Sequence, residues 1–177
     1  MKKIFIFISL LLIMSGCSMK KVDNTPTKKV EEYLDGYQKL DSNVLNDLDD
    51  ILTDTDYTVE QKARYKEIMK KHYSSIKYEI TKETIDGDEA KVDTQVTVTD
   101  YSNILNMEVK EDDYKDETGT YSPALFYDYQ LDLFEKETNK VTYNITFTLT
   151  KNNETKEWTI VQLDDDSIKK IHGIYVK

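Results

Sequence analysis

Residues 141–150 read VTYNITFTLT, and their alternation is the plainest structural signal in the chain. Val141, Tyr143, Ile145, Phe147 and Leu149 fall on one side of a period of two. Thr142, Asn144, Thr146, Thr148 and Thr150 fall on the other. Successive side chains of a β-strand point to opposite faces, so this segment has one apolar face and one hydroxyl-rich face. An antiparallel sheet, buried on one side and wet on the other, satisfies such a strand. β-Branched threonine suits the wet side. The same period appears upstream. Ile76, Tyr78 and Ile80 alternate with Lys77, Glu79 and Thr81, and Asp86-Gly87-Asp88 reads as a hairpin turn. Ala90, Val92, Val96 and Val98 then share a face. Downstream, after the turn KNNETKE, Trp158 to Leu163 reads as a fourth strand.

Outside these strands the period lengthens to that of a helix. Thr25-Pro26 combines an N-cap with a proline at the first helical position, ahead of a stripe of Val30, Tyr33, Leu34, Tyr37 and Leu40. Gly36 lies inside this helix at a cost of about 1 kcal/mol relative to alanine, which predicts a close approach by another element. Asp41 or Ser42 can cap a second helix whose apolar face is Val44, Leu45, Leu48, Ile51 and Leu52. Thr58 and Gln61 form a capping box for a third helix, from Val59 to about Ser74, with Tyr65, Ile68, Met69 and Tyr73 turned inward. Between the two hairpins lies an insert at about 102–140. It contains the acidic stretch EDDYKDETG, expected as a loop, and a helix from Leu125 to Glu137 preceded by Ser122-Pro123. Asp164-Asp165-Asp166 can cap a last short helix that Gly173 ends. Helices on one face of a curved antiparallel sheet make an α+β architecture.

The chain carries a net charge of −10, and loss of Lys2 and Lys3 with a cleaved leader takes it to about −12. Such a charge opposes nucleic acid and gains nothing from an anionic bilayer, so no nucleic-acid partner is expected. Arg64 is the single arginine beside abundant Lys, Asn, Ile and Tyr, a bias expected of a low-GC Gram-positive bacterium.

The chain opens with Lys2 and Lys3, an apolar run from Ile4 to Met14, and then Ser15, Gly16 and Cys17, the sole cysteine. A charged start, a short apolar run and small residues at a cut site describe an export signal. The run is too short for a membrane-spanning helix, which needs about 20 residues. Met14-Ser15-Gly16-Cys17 resembles the lipobox of bacterial lipoproteins. That resemblance implies cleavage before Cys17 and lipid on its sulfur, with localisation at the extracytoplasmic face of the cell membrane. The expected organisation is a signal peptide at 1–16, a lipidated tether at 17–24 and a domain at 25–177.

The layout of three helices, a hairpin, an inserted helix, a second hairpin and a terminal helical turn resembles the NTF2-like (cystatin-like) superfamily, and in particular NTF2-like lipoproteins of Firmicutes. Thr25-Pro26 before VEEYLDGYQKLD, the strand VTYNITFTLTK and the ending WTIVQLDDDSIKKIHG carry the likeness. It implies N-terminal helices packed into a cone-shaped sheet. Some members of that superfamily are enzymes with an acid–base carboxylate and a tyrosine inside the cone, but no motif here matches such a pair.

Candidate chemistry is sparse. His72 and His172 each sit near a predicted helix end, where an exposed imidazole facing the C-terminal dipole is expected. The acidic clusters at 47–56, 111–117 and 164–166 lack EF-hand spacing and read as solvated faces and caps. No catalytic residue, metal site or cofactor is expected. Tyr33, Tyr37, Tyr78, Tyr143 and Trp158 fall on inward faces and are the candidate cleft lining, apolar bodies with polar tips. The expected function is a membrane-anchored binding or interaction module for a small ligand, peptide or envelope partner. The alternative is an isomerase or hydrolase using the same cleft. A third reading has no ligand, with the threonine-rich sheet face making protein contacts, and the oligomeric state is left open.

Overall fold

The computed structural model describes residues 24–176; the leader, Cys17 and the tether as far as Asp23 lie outside the described residues. Helix α1 spans Pro26–Lys39 and begins where the Thr25 hydroxyl accepts a hydrogen bond from the Lys28 N–H at 3.1 Å. Its inner stripe is buried, with Val30 and Leu34 fully closed off from solvent. Each such side chain contributes on the order of 1.5–3 kcal/mol relative to exposure. The helix ends abruptly. Leu40 adopts a left-handed conformation (φ 54°), and the Asp41 N–H returns to the Gly36 carbonyl at 3.0 Å. A Cβ on Gly36 would lie 2.6 Å from the Asp41 carboxylate, so the close approach signalled by this glycine is that of the next helix cap.

Asp41 caps α2 (Ser42–Thr53) by accepting from the Asn43 and Val44 N–H groups, each at 3.0 Å. Val44, Leu48 and Leu52 are buried, whereas Ile51 is exposed; two turns of buried residues suffice for so short a helix. Helix α3 (Val59–Ser74) carries the predicted capping box between Thr58 and Gln61. Gln61 is itself buried, and its amide also donates to the Ala124 carbonyl and the Asp128 carboxylate, each at 2.8 Å.

The sheet comprises β1 (Lys77–Asp86), β2 (Glu89–Thr99), β3 (Lys140–Lys151) and β4 (Trp158–Ile160), antiparallel throughout and in the spatial order 1-2-3-4. Val92 faces Phe147, Thr94 faces Ile145 and Val96 faces Tyr143 in the central pair, which places the inward set of both strands on one side. On the other side the hydroxyls pair, Thr97 with Thr142 at 2.8 Å and Thr146 donating to Asp93 at 2.7 Å. Helices α1 and α6 pack on the inner face, so the architecture is α+β, as expected.

Three details differ from the sequence reading. β4 stops at Ile160 rather than Leu163, because the chain must leave the sheet to let Asp164 cap α6 (Asp165–Ile171). Ser122 stands at the N-cap of α5 (Pro123–Lys136) without donating or accepting a capping hydrogen bond through its side chain. The acidic stretch is an ordered turn: after a 3-10 turn at Glu111–Tyr114, the Asp116 carboxylate gathers the N–H groups of Thr118 and Thr120 and the Thr118 hydroxyl. A short helix, α4 (Ser102–Leu105), also precedes it. Arg64 on α3 clasps Glu135 through two hydrogen bonds, of 2.7 and 2.9 Å, and also bonds Asp132. The insert is thereby fastened to the helical layer.

Candidate functional site

Helix α1 runs across β4, and the two do not close completely. Between them, the extended segment 161–163 and α6 lies a groove of about 550 Å³, lined by Tyr33, Trp158, Ile160, Val161, Leu163 and Ile168, with Lys29 and Glu157 at its rim. Tyr33 is held in place from beneath. Its ring meets Phe147 edge-on at 5.8 Å and Tyr37 at 5.5 Å, and the two tyrosine hydroxyls stand 3.4 Å apart. Burial raises the Tyr33 phenol above its ordinary pKa, so the hydroxyl stays neutral. Trp158 is fixed from two directions. Its backbone N–H donates to the Asn24 side-chain oxygen at 3.3 Å, and the Lys151 ammonium stands 5.4 Å from its ring centre. The groove is thus largely apolar, with the neutral Thr159 and Gln162 in its lining and the charged Lys29 and Glu157 at its rim.

The five aromatic candidates divide around the core. Tyr33 and Trp158 meet in the groove, and Tyr37 touches it only through Tyr33, packing instead against Tyr73 at 5.1 Å. Tyr78 and Tyr143 flank Val96 in one cross-strand row. Tyr78 donates to Asp35 at 2.7 Å and Tyr143 donates to the Tyr175 carbonyl at 3.4 Å. Val30, Leu34, Leu48, Met69, Tyr73 and Ile171 fill the space beneath the sheet, where Tyr37, Tyr143 and Trp158 are themselves buried and Tyr33 and Tyr78 pack against them in part, so the five do not line one common cleft.

The two histidines are a correction to the sequence reading. Both are buried rather than exposed, and tertiary folding brings them together although a hundred residues separate them. His72 donates from Nε2 to the Ile171 carbonyl at 3.0 Å, leaving Nδ1 without a hydrogen-bond partner. Its ring lies 5.5 Å from Tyr73 and 5.2 Å from Tyr101. His172 caps α6 and packs against Tyr73 at 5.5 Å and Tyr37 at 6.2 Å. Burial pushes His172 down to about 4; His72 is likewise pushed to about 4, chiefly by burial, with His172 and Lys140 adding and the Ile171 carbonyl opposing. Gly173 locks the arrangement. It has φ 71°, accepts from the Tyr101 N–H at 2.7 Å, and lies where a Cβ would stand 2.0 Å from the Thr99 carbonyl oxygen. Beside His72 a cavity of about 220 Å³ is bordered by Ser75, Thr99, Tyr101, Glu135 and Glu137. One signal in the sequence points to this burial: His72 follows Ile68 by four residues and Met69 by three, on the inner stripe of α3.

Among the described residues no three or more His, Cys, Asp or Glu side chains gather as a metal-ligand set. Within the same residues, no helix is long and apolar enough to cross a membrane. The model of the prokaryotic membrane lipoprotein lipid attachment site matches residues 1–18. No curated protein and no solved structure matches the chain. The match at 1–18 marks the protein as a lipid-anchored bacterial membrane lipoprotein.

Proposed function

We propose that this lipoprotein is an extracytoplasmic binding module, held on the cell membrane by lipid on Cys17, that takes a small ligand or a peptide segment of an envelope partner. The groove between α1 and β4 carries this reading. It is largely apolar, lies within the ~300–1,000 Å³ range of ligand sites, and has the neutral polar residues Thr159 and Gln162 in its lining. The packing of α1 and α6 on a four-stranded antiparallel sheet, with α2 and α3 against α1, supports the resemblance to NTF2-like domains, where fold alone does not specify activity.

Trp158 is the only tryptophan, so it reports on the groove directly. In the mature chain carrying Cys17→Ser, the amphiphile 1-anilinonaphthalene-8-sulfonate is expected to bind saturably, with energy transfer from Trp158 that Val161→Asp abolishes. Absence of saturable transfer would sink the reading. For the anchor, labelling of cells with an alkynyl palmitate should mark the native protein and leave Cys17→Ser unmarked.

One observation favours an enzyme instead: a neutral His72 with an unpaired Nδ1 beside Tyr101. Its test is a screen of the mature protein with chromogenic esters and enolisable ketones. Turnover lost in His72→Gln and retained in Val161→Asp would place the chemistry at the histidine cavity.

A further inference from the structure

We infer that the groove between α1 and β4 takes an acyl chain of the bilayer lipids to which the protein is anchored. This rests on the reading of the groove as a ligand site and on acylation of Cys17. The position of the tether is the first ground. Asn24 is clamped to the start of β4, donating to the Lys156 carbonyl at 2.6 Å and accepting from the Trp158 N–H. Residues 18–23 separate it from the acylated Cys17, and seven Cα-to-Cα steps span at most about 25 Å. Whatever the tilt of the domain, the start of β4 therefore stays within that distance of the membrane surface, and the groove begins at the next residues of the strand.

The lining is the second ground. Tyr33, Trp158, Ile160, Val161, Leu163 and Ile168 offer apolar surface beside the neutral Thr159 and Gln162, and Val161 is 43% exposed. Charge does little here, because Lys29 is held by Glu32 at 3.1 Å and Glu157 stands on the same rim. Recognition is then of a hydrocarbon chain rather than of a head group. Strand addition by a peptide is less well served. β4 is three residues long, and the N–H of Trp158 on its outer edge is already taken by Asn24.

The test uses the mature lipidated protein in phosphatidylglycerol vesicles whose acyl chains carry bromine, a short-range quencher of tryptophan. Trp158 emission is expected to fall by about half relative to unbrominated vesicles, and Val161→Asp is expected to restore it. Val161→Asp leaves the backbone bond from Val161 N–H to the Thr148 carbonyl in place, and a far-ultraviolet circular dichroism spectrum checks its fold. Quenching that persists in the variant would mean proximity to the bilayer without occupancy, and overturns the inference. Unquenched emission also overturns it, including the case in which the protein's own unbrominated anchor fills the groove. In either case the anilinonaphthalene titration decides separately whether the groove binds any ligand.

Discussion

The two concavities of this domain are opposites. The groove at β4 is open, largely apolar and bounded by a three-residue edge strand; Trp158 at its floor belongs to the core, whereas Val161 at its mouth lies outside it. The cavity at His72 lies at the far end of the sheet, where α3, the end of β2 and the turn after α6 converge, and it is built on buried titratable groups. Each imidazole there is kept neutral by its surroundings, and one carries an unpaired nitrogen. Tight regions of this kind tolerate few substitutions, while an open apolar slot tolerates many. Stability and ligand capacity are therefore expected to separate in this protein, the first failing at the histidine end and the second at the groove.

The largest effect is expected from Gly173→Val. The side chain would meet the Thr99 carbonyl oxygen from a backbone conformation that β-branched residues avoid. A loss of about 3 kcal/mol or more is expected in urea denaturation at neutral pH, the range reached by overpacking and strain combined. A loss below about 1 kcal/mol would show that this end is no tighter than the groove.

The next effect is on pH dependence. Both histidines take up a proton near 6.5 in the unfolded chain but only near 4 in the folded one. Between these values the unfolded state holds more protons, so stability is fully present above about 6.5 and declines as pH falls towards 4. The decline is at most about 3 kcal/mol for each histidine. Lys71 and Lys140 lie nearby as further positive charge, with Glu135 and Glu137 opposing. Urea midpoints at pH 7 and pH 5 should differ clearly in the native protein and by roughly half as much in His72→Gln. An unchanged difference would locate the titration elsewhere.

This contrast also governs what could be read in the sequence. The alternation in 141–150, the caps at Thr25, Asp41, Thr58 and Asp164 and the hairpin at 86–88 are local in cause, and the sheet and helices follow from them. The groove was half legible. Tyr33 and Trp158 are inward by periodicity, but their meeting depends on α1 crossing β4, a contact that neither segment encodes alone. The histidine pair was misread because a helix-end imidazole is exposed in isolation; what buries it is the packing of the 171–173 turn onto α3 and β2. Short-range pattern carried the elements, and long-range packing decided which polar groups they enclose.

Asn24→Ala tests the groove end through its fastening rather than its lining. The variant removes two hydrogen bonds at the exposed edge of β4, of 2.6 and 3.3 Å, and is expected to cost about 0.5–1 kcal/mol. Limited proteolysis should then cut more readily between Thr25 and the tether, with the histidine end unaffected.

The smallest effect on stability, and the sharpest separation, is expected from Val161→Asp. Val161 is 43% exposed, and its backbone bond to Thr148 is retained. Surface substitutions of this kind usually shift stability by no more than about 0.5 kcal/mol. A carboxylate in an apolar slot, by contrast, loses hydration whenever a hydrocarbon ligand enters, which disfavours occupancy strongly. The variant should therefore unfold with the native urea midpoint and pH dependence while losing amphiphile-dependent energy transfer from Trp158. A variant that lost both together would show that the slot is part of the core after all, and the division between the two ends would collapse.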